Sequence, residues 1–205
     1  MAIIVGVTSA AGQEVDSASK ASRVTLYDSL GNEINAQPSG AYMLPVNIRQ
    51  TAASAAGLVV WAMRNGSTKT VLVRRMPLVM AFDGTAAALT TPRYALQRFT
   101  TATPTGGTVL TAIKKRTTYP TSAIADARFL DSGLTTTGMT FETDAAIFGL
   151  PIAVTNAAIR YDLTSEMGQR YDSFELGANE GLCIRLNTAT VIGVSLLGYV
   201  AWDEK

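Results

Sequence analysis

The sequence predicts an all-β protein, an antiparallel β-sandwich or barrel for which a sandwich with jelly-roll topology is preferred. Short segments rich in β-branched and aromatic residues recur along the chain, roughly eight to ten of them, as expected for strands. Residues typical of turns separate these segments, and no segment has the apolar period of an amphipathic helix. The segments counted from Gly57 onward are close to the roughly eight strands of a jelly roll, which favours that topology.

The first fifty residues differ from the rest of the chain. Residues 1–22 are mostly small and polar, and we expect them to form an arm with little order of its own. Arg23–Asp28 and Tyr42–Ile48 are predicted to be extended, and the small-residue connector Thr51–Ala56 lies at the expected boundary, near Gln50–Gly57. We therefore predict an extended N-terminal arm with short strands at residues 1–50, and a jelly-roll-like sandwich domain at residues 51–205.

The segment Gly57–Gly84 organises the predicted sandwich. Its two apolar runs flank Asn65-Gly66, a dipeptide that tolerates positive φ and strongly indicates a two-residue hairpin turn. Arg74, Arg75 and Pro77 interrupt the second run, and because proline has no amide proton for a strand ladder, we expect a bulge or a strand edge there. The two arginines are interpreted as part of a solvated face, with contact to a neighbouring subunit or nucleic acid as the alternative.

Alternation of polar and apolar residues indicates the later strands. They are predicted at residues 93–101, 108–116, 127–130, 157–163, 173–176, 182–187 and 191–202. Ala145–Val154 is predicted instead to be an irregular apolar loop packed on the core. Gly193 and Gly198 predict a bulge or a close approach within the last strand. The basic triplet at 114–116 is interpreted as a solvated strand end, with contact to an acidic neighbour or a packaged polyanion as the alternative.

Composition excludes several functions. Charged residues make up only 16% of the chain, hydrophobic residues 47%, and the formal net charge is +1. A general nucleic-acid-binding surface would normally give a clear excess of basic residues, which this chain lacks. The low share of charged residues suggests that some surface is buried against other chains. The absence of histidine removes the commonest general base and metal ligand. No signal peptide and no membrane-spanning segment is evident, so we expect a protein made in a reducing cytosol.

Few residues are candidates for chemistry. Cys183 is the single cysteine, so an intrachain disulfide is impossible, and its apolar neighbours indicate a buried core thiol rather than a reactive one. The nearest carboxylate pairs for acid–base catalysis are Asp126 with Asp131 and Glu142 with Asp144, each assigned to a turn or loop where acidic residues are ordinary.

The remaining acidic cluster is a weak candidate for a cation site. Asp162, Glu166 and Asp172 lie near one polar loop, which allows a loose site, and the chain has no phosphate-binding glycine motif. We therefore predict that the protein is not an enzyme and has no catalytic residue, no cofactor and no metal.

Fifteen aromatic residues are spread over the chain. Six of them lie in or beside predicted strands, where packing in the core or across strands is the expected role. An exposed ladder of such residues would instead favour carbohydrate binding. The six are Tyr27, Tyr42, Tyr94, Phe99, Tyr161 and Tyr171.

Two segments carry a resemblance to a known class of proteins. They are RYALQRFTTATPTGGTVLTAIKKR, and ELGANEGLCIRLNTA followed by the hydrophobic strand that ends at Trp202. In the Thr-Pro-x-Gly-Gly turn and the acidic-Gly turn before the penultimate strand, residues 93–205 resemble the β-sandwich virion proteins of tailed bacteriophages, the small decoration, cement or minor capsid proteins. The resemblance implies a jelly-roll or related sandwich, a homotrimer, and a place in the virion after assembly in the host cytoplasm. It implies no catalytic residues.

The leading hypothesis is a structural protein that stabilises a virion by contacts with the major capsid protein or with neighbouring subunits. Its arm could add a strand to an open sheet edge of a neighbour, so removal of residues 1–22 is expected to weaken assembly while the sandwich still folds. The alternative is a carbohydrate- or receptor-binding module at a tail or fibre. A carboxylate-dependent polysaccharide-degrading enzyme is the third hypothesis. No membrane and no specific nucleic acid is expected as a partner.

Overall fold

The computed structural model describes residues 40–51, 54–82, 92–149, 158–162, 174–189 and 193–205, all within the unit Pro38–Lys205. These residues form two antiparallel sheets packed face to face, which confirms the predicted β-sandwich. No helix occurs among them. The jelly-roll topology is not confirmed by the strand order and stays a prediction.

In the described part of the chain, thirteen strands make up the two sheets. Sheet A has the order β10-β4-β13-β1-β7, with β3 paired to β13 and β11 paired to β3. Sheet B has the order β6-β8-β2-β12-β5-β9. The strand bounds are β1 Gly40–Gln50, β2 Val59–Asn65, β3 Val71–Arg75, β4 Pro77–Phe82, β5 Arg93–Thr100, β6 Thr108–Val109, β7 Ile113–Lys114, β8 Ile124–Phe129, β9 Thr140–Gly149, β10 Ala158–Asp162, β11 Phe174–Leu176, β12 Gly181–Leu186 and β13 Val194–Glu204.

The pair β1 and β13 forms the centre of sheet A. The two strands pair from Gly40 opposite Glu204 to Gln50 opposite Val194 without a break. Every second residue of β1, including Leu44, Val46 and Ile48, is buried in the core between the sheets. Gly40–Gln50 is therefore part of the sandwich, which begins earlier in the chain than the predicted boundary at residue 51. The predicted arm at residues 1–22 and the strand at 23–28 lie outside the described residues.

The predicted hairpin at Asn65-Gly66 is wrong. Strand β2 pairs with β8 and β12 in sheet B, whereas β3 pairs with β11 and β13 in sheet A. Neither Asn65 nor Gly66 has positive φ, so the dipeptide does not adopt the turn that joins adjacent strands. Gly66 is a glycine because a β-carbon there would collide with the Cβ of Ala125. The connection is instead a corner that carries the chain from one sheet to the other.

The side chain of Asn65 holds this corner. It is fully buried. Its Nδ2 donates to the carbonyl oxygens of Lys69 (2.6 Å), Leu176 (3.1 Å) and Gly177 (3.0 Å). Its Oδ1 accepts from the backbone N–H of Ser67 at 3.0 Å. The residue that suggested a hairpin therefore satisfies backbone groups that the strand ladders leave unpaired.

The expected interruption at Pro77 is confirmed. Strands β3 and β4 lie on either side of Met76 and both pair with β13, whose register shifts between Ala201 and Trp202. The predicted close approach at Gly198 is also present, because the carbonyl oxygen of Pro77 occupies the space that a β-carbon would need.

Two other predicted segments are corrected. The single strand expected at 108–116 is divided into β6 in sheet B and β7 in sheet A, because the chain crosses between the sheets there. Within Ala145–Val154, residues 145–149 are the end of strand β9, since they form a ladder with β5, and are not an irregular loop. Residues 150–154 lie outside the described part.

A second, smaller apolar cluster covers part of the outer face of sheet B. Val59, Ala62, Phe99, Leu134 and Cys183 are buried there, with Leu130, Met139 and Phe141 packed against them. The loop between β8 and β9 is anchored over this face because Leu134 donates its N–H to the carbonyl of Val59 at 2.6 Å. This explains why β2 and β12 are apolar on both faces.

Candidate interaction surfaces and ligand groove

The outer face of sheet A carries a patch of apolar side chains, which Asn47 borders opposite Leu197. Leu197 is opposite Val79, Pro45 is opposite Tyr199, and Met43 is opposite Ile113. The exposed fractions are 44% for Leu197, 38% for Val79 and 53% for Ile113. Isolated exposed apolar residues are ordinary on protein surfaces, but contiguous ones mark interaction sites. We call these six residues the sheet A face.

Charged groups border the sheet A face. Arg160 is exposed on β10 opposite Val79, and Arg49 is exposed near the end of β1. At the opposite end, Arg74 Nε lies 3.0 Å from Asp203 Oδ2, and Arg75 is exposed. The exposure of Arg74 and Arg75 is compatible with both interpretations, a solvated surface and a contact with a neighbouring subunit or nucleic acid.

Strand β9 is a long edge of sheet B. Among the described residues, it pairs only with β5, so its other side presents unpaired backbone groups. Most of its side chains are exposed, and Ile147 is 59% exposed. Edges of this kind are templates for the addition of a further strand.

A groove of about 510 Å³ lies on the outer face of sheet B beside β9. Residues from the adjacent strands β12, β5 and β9 form its floor. Arg185 lies opposite Ala95, and Ala95 lies opposite Ile147. Apolar and uncharged residues make up the rest of its lining. These are Ala56, Gly57, Gln97, Thr143, Ala145, Leu186 and Asn187. The groove volume is within the range of about 300–1,000 Å³ typical of ligand pockets.

Arg185 is held in the groove by three contacts. Its Nε donates to the carbonyl of Gly57 at 2.8 Å, and its Nη1 lies 3.5 Å from Oε1 of Gln97. Its guanidinium stacks over the ring of Phe141, with 5.0 Å from Cζ to the ring centroid. Gln97 is itself buried, and its amide group donates to the carbonyl of Glu142. Among the described residues, no carboxylate forms an ion pair with Arg185.

The sequence-predicted carboxylate pairs have the following surroundings. Asp126 lies in strand β8, not in a turn, and both its oxygens accept from Arg128 Nε, at 2.9 and 3.1 Å. Asp131 instead accepts the backbone N–H of Arg49 at 2.9 Å. Glu142 and Asp144 are both exposed on β9. The two members of the first pair therefore have separate structural partners, and the second pair is solvated.

The candidate cation site is only partly within the described residues. Asp162 ends β10, whereas Glu166 and Asp172 lie outside them. In the described part of the chain, no group of three acidic, cysteine or histidine residues could hold a metal ion.

A buried carboxylate that the sequence did not indicate closes the end of β13. Glu204 is fully buried, and its Oε1 accepts from the N–H of Ala123 (2.7 Å), the hydroxyl of Ser122 (2.7 Å) and the indole N–H of Trp202 (3.2 Å). Lys69 Nζ lies 3.7 Å from its Oε2. This carboxylate fixes the loop before β8 to the last strand.

Cys183 is the buried core thiol that the sequence predicted. It is free and fully buried in the second apolar cluster. Burial raises the pKa of its thiol to about 12, although the nearby Arg185 charge acts in the opposite direction. A thiol with this pKa is almost entirely protonated at neutral pH and is a poor nucleophile.

Core packing is confirmed for Tyr42, Tyr94 and Phe99, which are fully buried. Tyr42 stacks on Trp202 with 5.8 Å between ring centroids, and its hydroxyl donates to the carbonyl of Pro120 at 2.9 Å. Tyr94 stacks on Phe148 at 5.8 Å, and burial raises the pKa of its phenol. Tyr161 is half-buried against Phe148. Tyr27 and Tyr171 lie outside the described residues.

The basic triplet is exposed. Lys114 ends β7, and the guanidinium of Arg116 lies 5.9 Å from the ring centroid of Tyr119. This exposure is compatible with both interpretations of the triplet.

No helix among the described residues is long and apolar enough to span a membrane. Comparison with known proteins gives no match to a family model, to a curated protein or to a solved structure.

Proposed function

We propose that the chain is a structural subunit that assembles through the sheet A face. The observation that supports this is the patch of apolar side chains formed by Leu197, Val79 and the other residues of the sheet A face on four strands of the sheet. Burial of apolar area stabilises an interface by about 25 cal/mol per Å² before the loss of translational and rotational freedom is subtracted. A specific contact needs about 1,200–2,000 Å² of total buried area.

The arrangement of charges supports a protein partner. Apolar side chains occupy the middle of the face, and Arg49, Arg160 and the Arg74–Asp203 pair lie at its border. Protein–protein interfaces commonly have an apolar centre and a polar rim, and arginine is enriched among their residues.

The open edge of β9 offers a second mode of association. An extended segment of a neighbouring subunit, such as its residues 1–22, would pair with the unpaired side of β9. Two modes of contact in one lattice increase the overall avidity without requiring high affinity at either contact. This combination favours a shell or tail component over an isolated binding module.

The resemblance to tailed-bacteriophage virion proteins makes the proposal more specific. The subunit would be a capsid decoration, cement or minor capsid protein, a homotrimer bound to the major capsid protein, and located in the virion. Antibody labelling of purified virus particles tests this location in the virion. Labelling of the shell is expected, whereas labelling only at the tail tip would contradict a capsid role.

Light scattering after size exclusion tests the assembly surface. The wild-type chain is expected to form a trimer or a larger closed ring. Val79→Ser combined with Leu197→Ser is expected to shift it toward monomer, because both substitutions place a hydroxyl within the apolar contact. Val109→Ser is the matched control, since Val109 is 58% exposed on sheet B. Equal dissociation by both variants would contradict the proposal.

Deletion of residues 1–22 separates the two modes of contact. The truncated chain is expected to retain the circular dichroism spectrum of the sandwich but to assemble less tightly. Assembly at full-length affinity would exclude a role of the arm while leaving the sheet A face as the interface.

A further inference from the structure

The groove on sheet B holds a positive charge that the described residues leave without an ion-pair partner. We propose that this groove binds the carboxylate of an aspartate or glutamate side chain from a neighbouring subunit, with Arg185 as its main ligand. The source of the carboxylate rests on the proposed assembly function, whereas the chemistry of the site rests on the groove alone.

Arg185 is oriented before any ligand arrives. Its Nε proton is used by Gly57 and one Nη1 proton faces Gln97, so the remaining protons of Nη1 and Nη2 are left for a ligand. Two parallel N–H groups at the end of a guanidinium match the two oxygens of a carboxylate. Stacking on Phe141 restricts rotation of the guanidinium, which lowers the entropy lost on binding.

Gly57 is part of this arrangement. Its φ is +90°, a conformation that favours glycine, and a β-carbon there would lie 3.2 Å from Nη2 of Arg185. The backbone thus approaches the guanidinium closely enough to accept its Nε proton.

The rest of the lining selects for a singly charged group on an aliphatic stem. Arg185 is the only charged residue among those that line the groove, so the site offers one positive charge. This matches a carboxylate better than a phosphate dianion. The hydroxyl of Thr143 and the carboxamide of Asn187 add polar groups, and Ala95, Ala145 and Ile147 provide apolar contacts for methylene groups. Glu142 and Asp144 flank Thr143 but do not line the groove.

The position of the groove suits a neighbouring subunit. Thr143, Ala145 and Ile147 belong to β9, on whose other side none of the described strands pairs. A segment that reaches this edge therefore passes beside the groove.

The chemistry of the site is tested with glutarate on the full-length protein, with one of its carboxylates expected in the groove and the other in solvent. Chemical shifts of the Gly57 amide and the Arg185 Nε–Hε group are followed during titration. Saturable shifts with a dissociation constant on the order of 1–10 mM are expected. Glutaric diamide at the same concentrations should leave both signals in place, because it lacks the charge.

Variants assign the binding to Arg185. Arg185→Gln is expected to weaken glutarate binding at least tenfold, and Arg185→Lys to weaken it less, since lysine keeps the charge but loses the fork of donors. Arg75→Gln is the matched control, an exposed arginine on sheet A, and should bind like wild type. Binding to Arg185→Lys and Arg185→Gln within threefold of wild type, absence of binding to the wild type, or equal shifts with the diamide would each overturn the site.

Light scattering on the same variants tests the source of the carboxylate. Arg185→Gln is expected to weaken assembly about tenfold relative to wild type. If wild-type protein binds glutarate but Arg185→Gln assembles normally, a neighbouring subunit is not the ligand and the proposal is overturned in that part. If wild-type protein assembles but does not bind glutarate, the inference fails while the proposed function stands.

Discussion

The two sheets differ in what covers their outer faces. On sheet B, Leu134 and its neighbours in the loop between β8 and β9 bury Phe99 and Cys183 under the chain's own residues. On sheet A, Leu197 and Val79 remain exposed although they stand in adjacent strands at the centre of the sheet. The chain's own residues thus cover part of the apolar outer face of sheet B, whereas the apolar residues on the outer face of sheet A stay exposed. The uncovered sheet A face is the surface through which we propose that the chain assembles.

Phe99→Ala should have the largest effect, because it removes the main side chain of the covered face. Phe99 is fully buried, and loss of a buried phenylalanine lowers the free energy of unfolding by about 3–5 kcal/mol. Urea denaturation followed by tryptophan fluorescence measures this change. A loss below about 1 kcal/mol, like that of an exposed residue, would show that the second cluster contributes little.

Asn65→Ala tests the corner through which the chain passes from sheet B to sheet A. Three buried or half-buried carbonyl groups lose a donor, although that of Gly177 keeps the N–H of Glu180, and the free energy of unfolding should fall by about 2–3 kcal/mol. Asn65→Asp should be at least as destabilising, since it removes the donor and buries a charge. An Asp variant as stable as wild type would contradict the assigned role of Nδ2.

The buried thiol of Cys183 makes the free energy of unfolding depend on pH in the alkaline range. Its folded pKa of about 12 lies above its ordinary value of 9.0. The stability linked to the protonated thiol is therefore fully present below pH 9 and is lost as pH rises toward 12. The slope approaches about 1.4 kcal/mol per pH unit.

The difference between wild type and Cys183→Ala isolates this contribution, because tyrosines ionise in both proteins. In urea denaturation, the free energy of unfolding of the wild type should fall relative to that of Cys183→Ala between pH 9 and pH 12. Parallel curves over that range would show that the thiol ionises as easily in the folded protein as in the unfolded chain.

Leu197→Ala should have the smallest effect on stability, because Leu197 is 44% exposed on the uncovered face. At concentrations where the chain is monomeric, the free energy of unfolding should change by no more than about 0.5 kcal/mol. A fall in the free energy of unfolding of about 2 kcal/mol or more is typical of a buried leucine. Such a result would mean that this face is already covered within one chain.

Local pattern was sufficient for the parts of the fold that depend on a single strand. The alternation in β12 places Cys183 and Arg185 on one face and Ile184 and Leu186 on the other, and this is the arrangement found. Proline chemistry likewise located the interruption before Pro77, since the missing amide proton is a property of the residue itself.

Long-range pairing was not accessible in the same way. Asn65-Gly66 is a strong local signal for a hairpin, but β2 and β3 do not pair with each other. Strand β2 pairs with β8, and β3 pairs with β13, and in each case the partner strand lies more than fifty residues away in sequence. Which strands pair depends on the total burial and hydrogen bonding of all strands together, and a dipeptide cannot report it.

The candidate site shows the same division. Arg185 could be assigned to the outward face of its strand from alternation, but Gln97 and Phe141 come from β5 and β9, and only the sheet register brings them to its guanidinium.

The amino-acid pattern alone therefore determined the all-β class, the sandwich and the burial of the single thiol, because side-chain alternation and apolar content are local properties. Tertiary structure decided the corner at Asn65, the pairing of Gly40–Gln50 with β13, the open edge of β9 and the two unlike outer faces. These features arise where segments distant in sequence compete for the same hydrogen bonds and the same apolar surface.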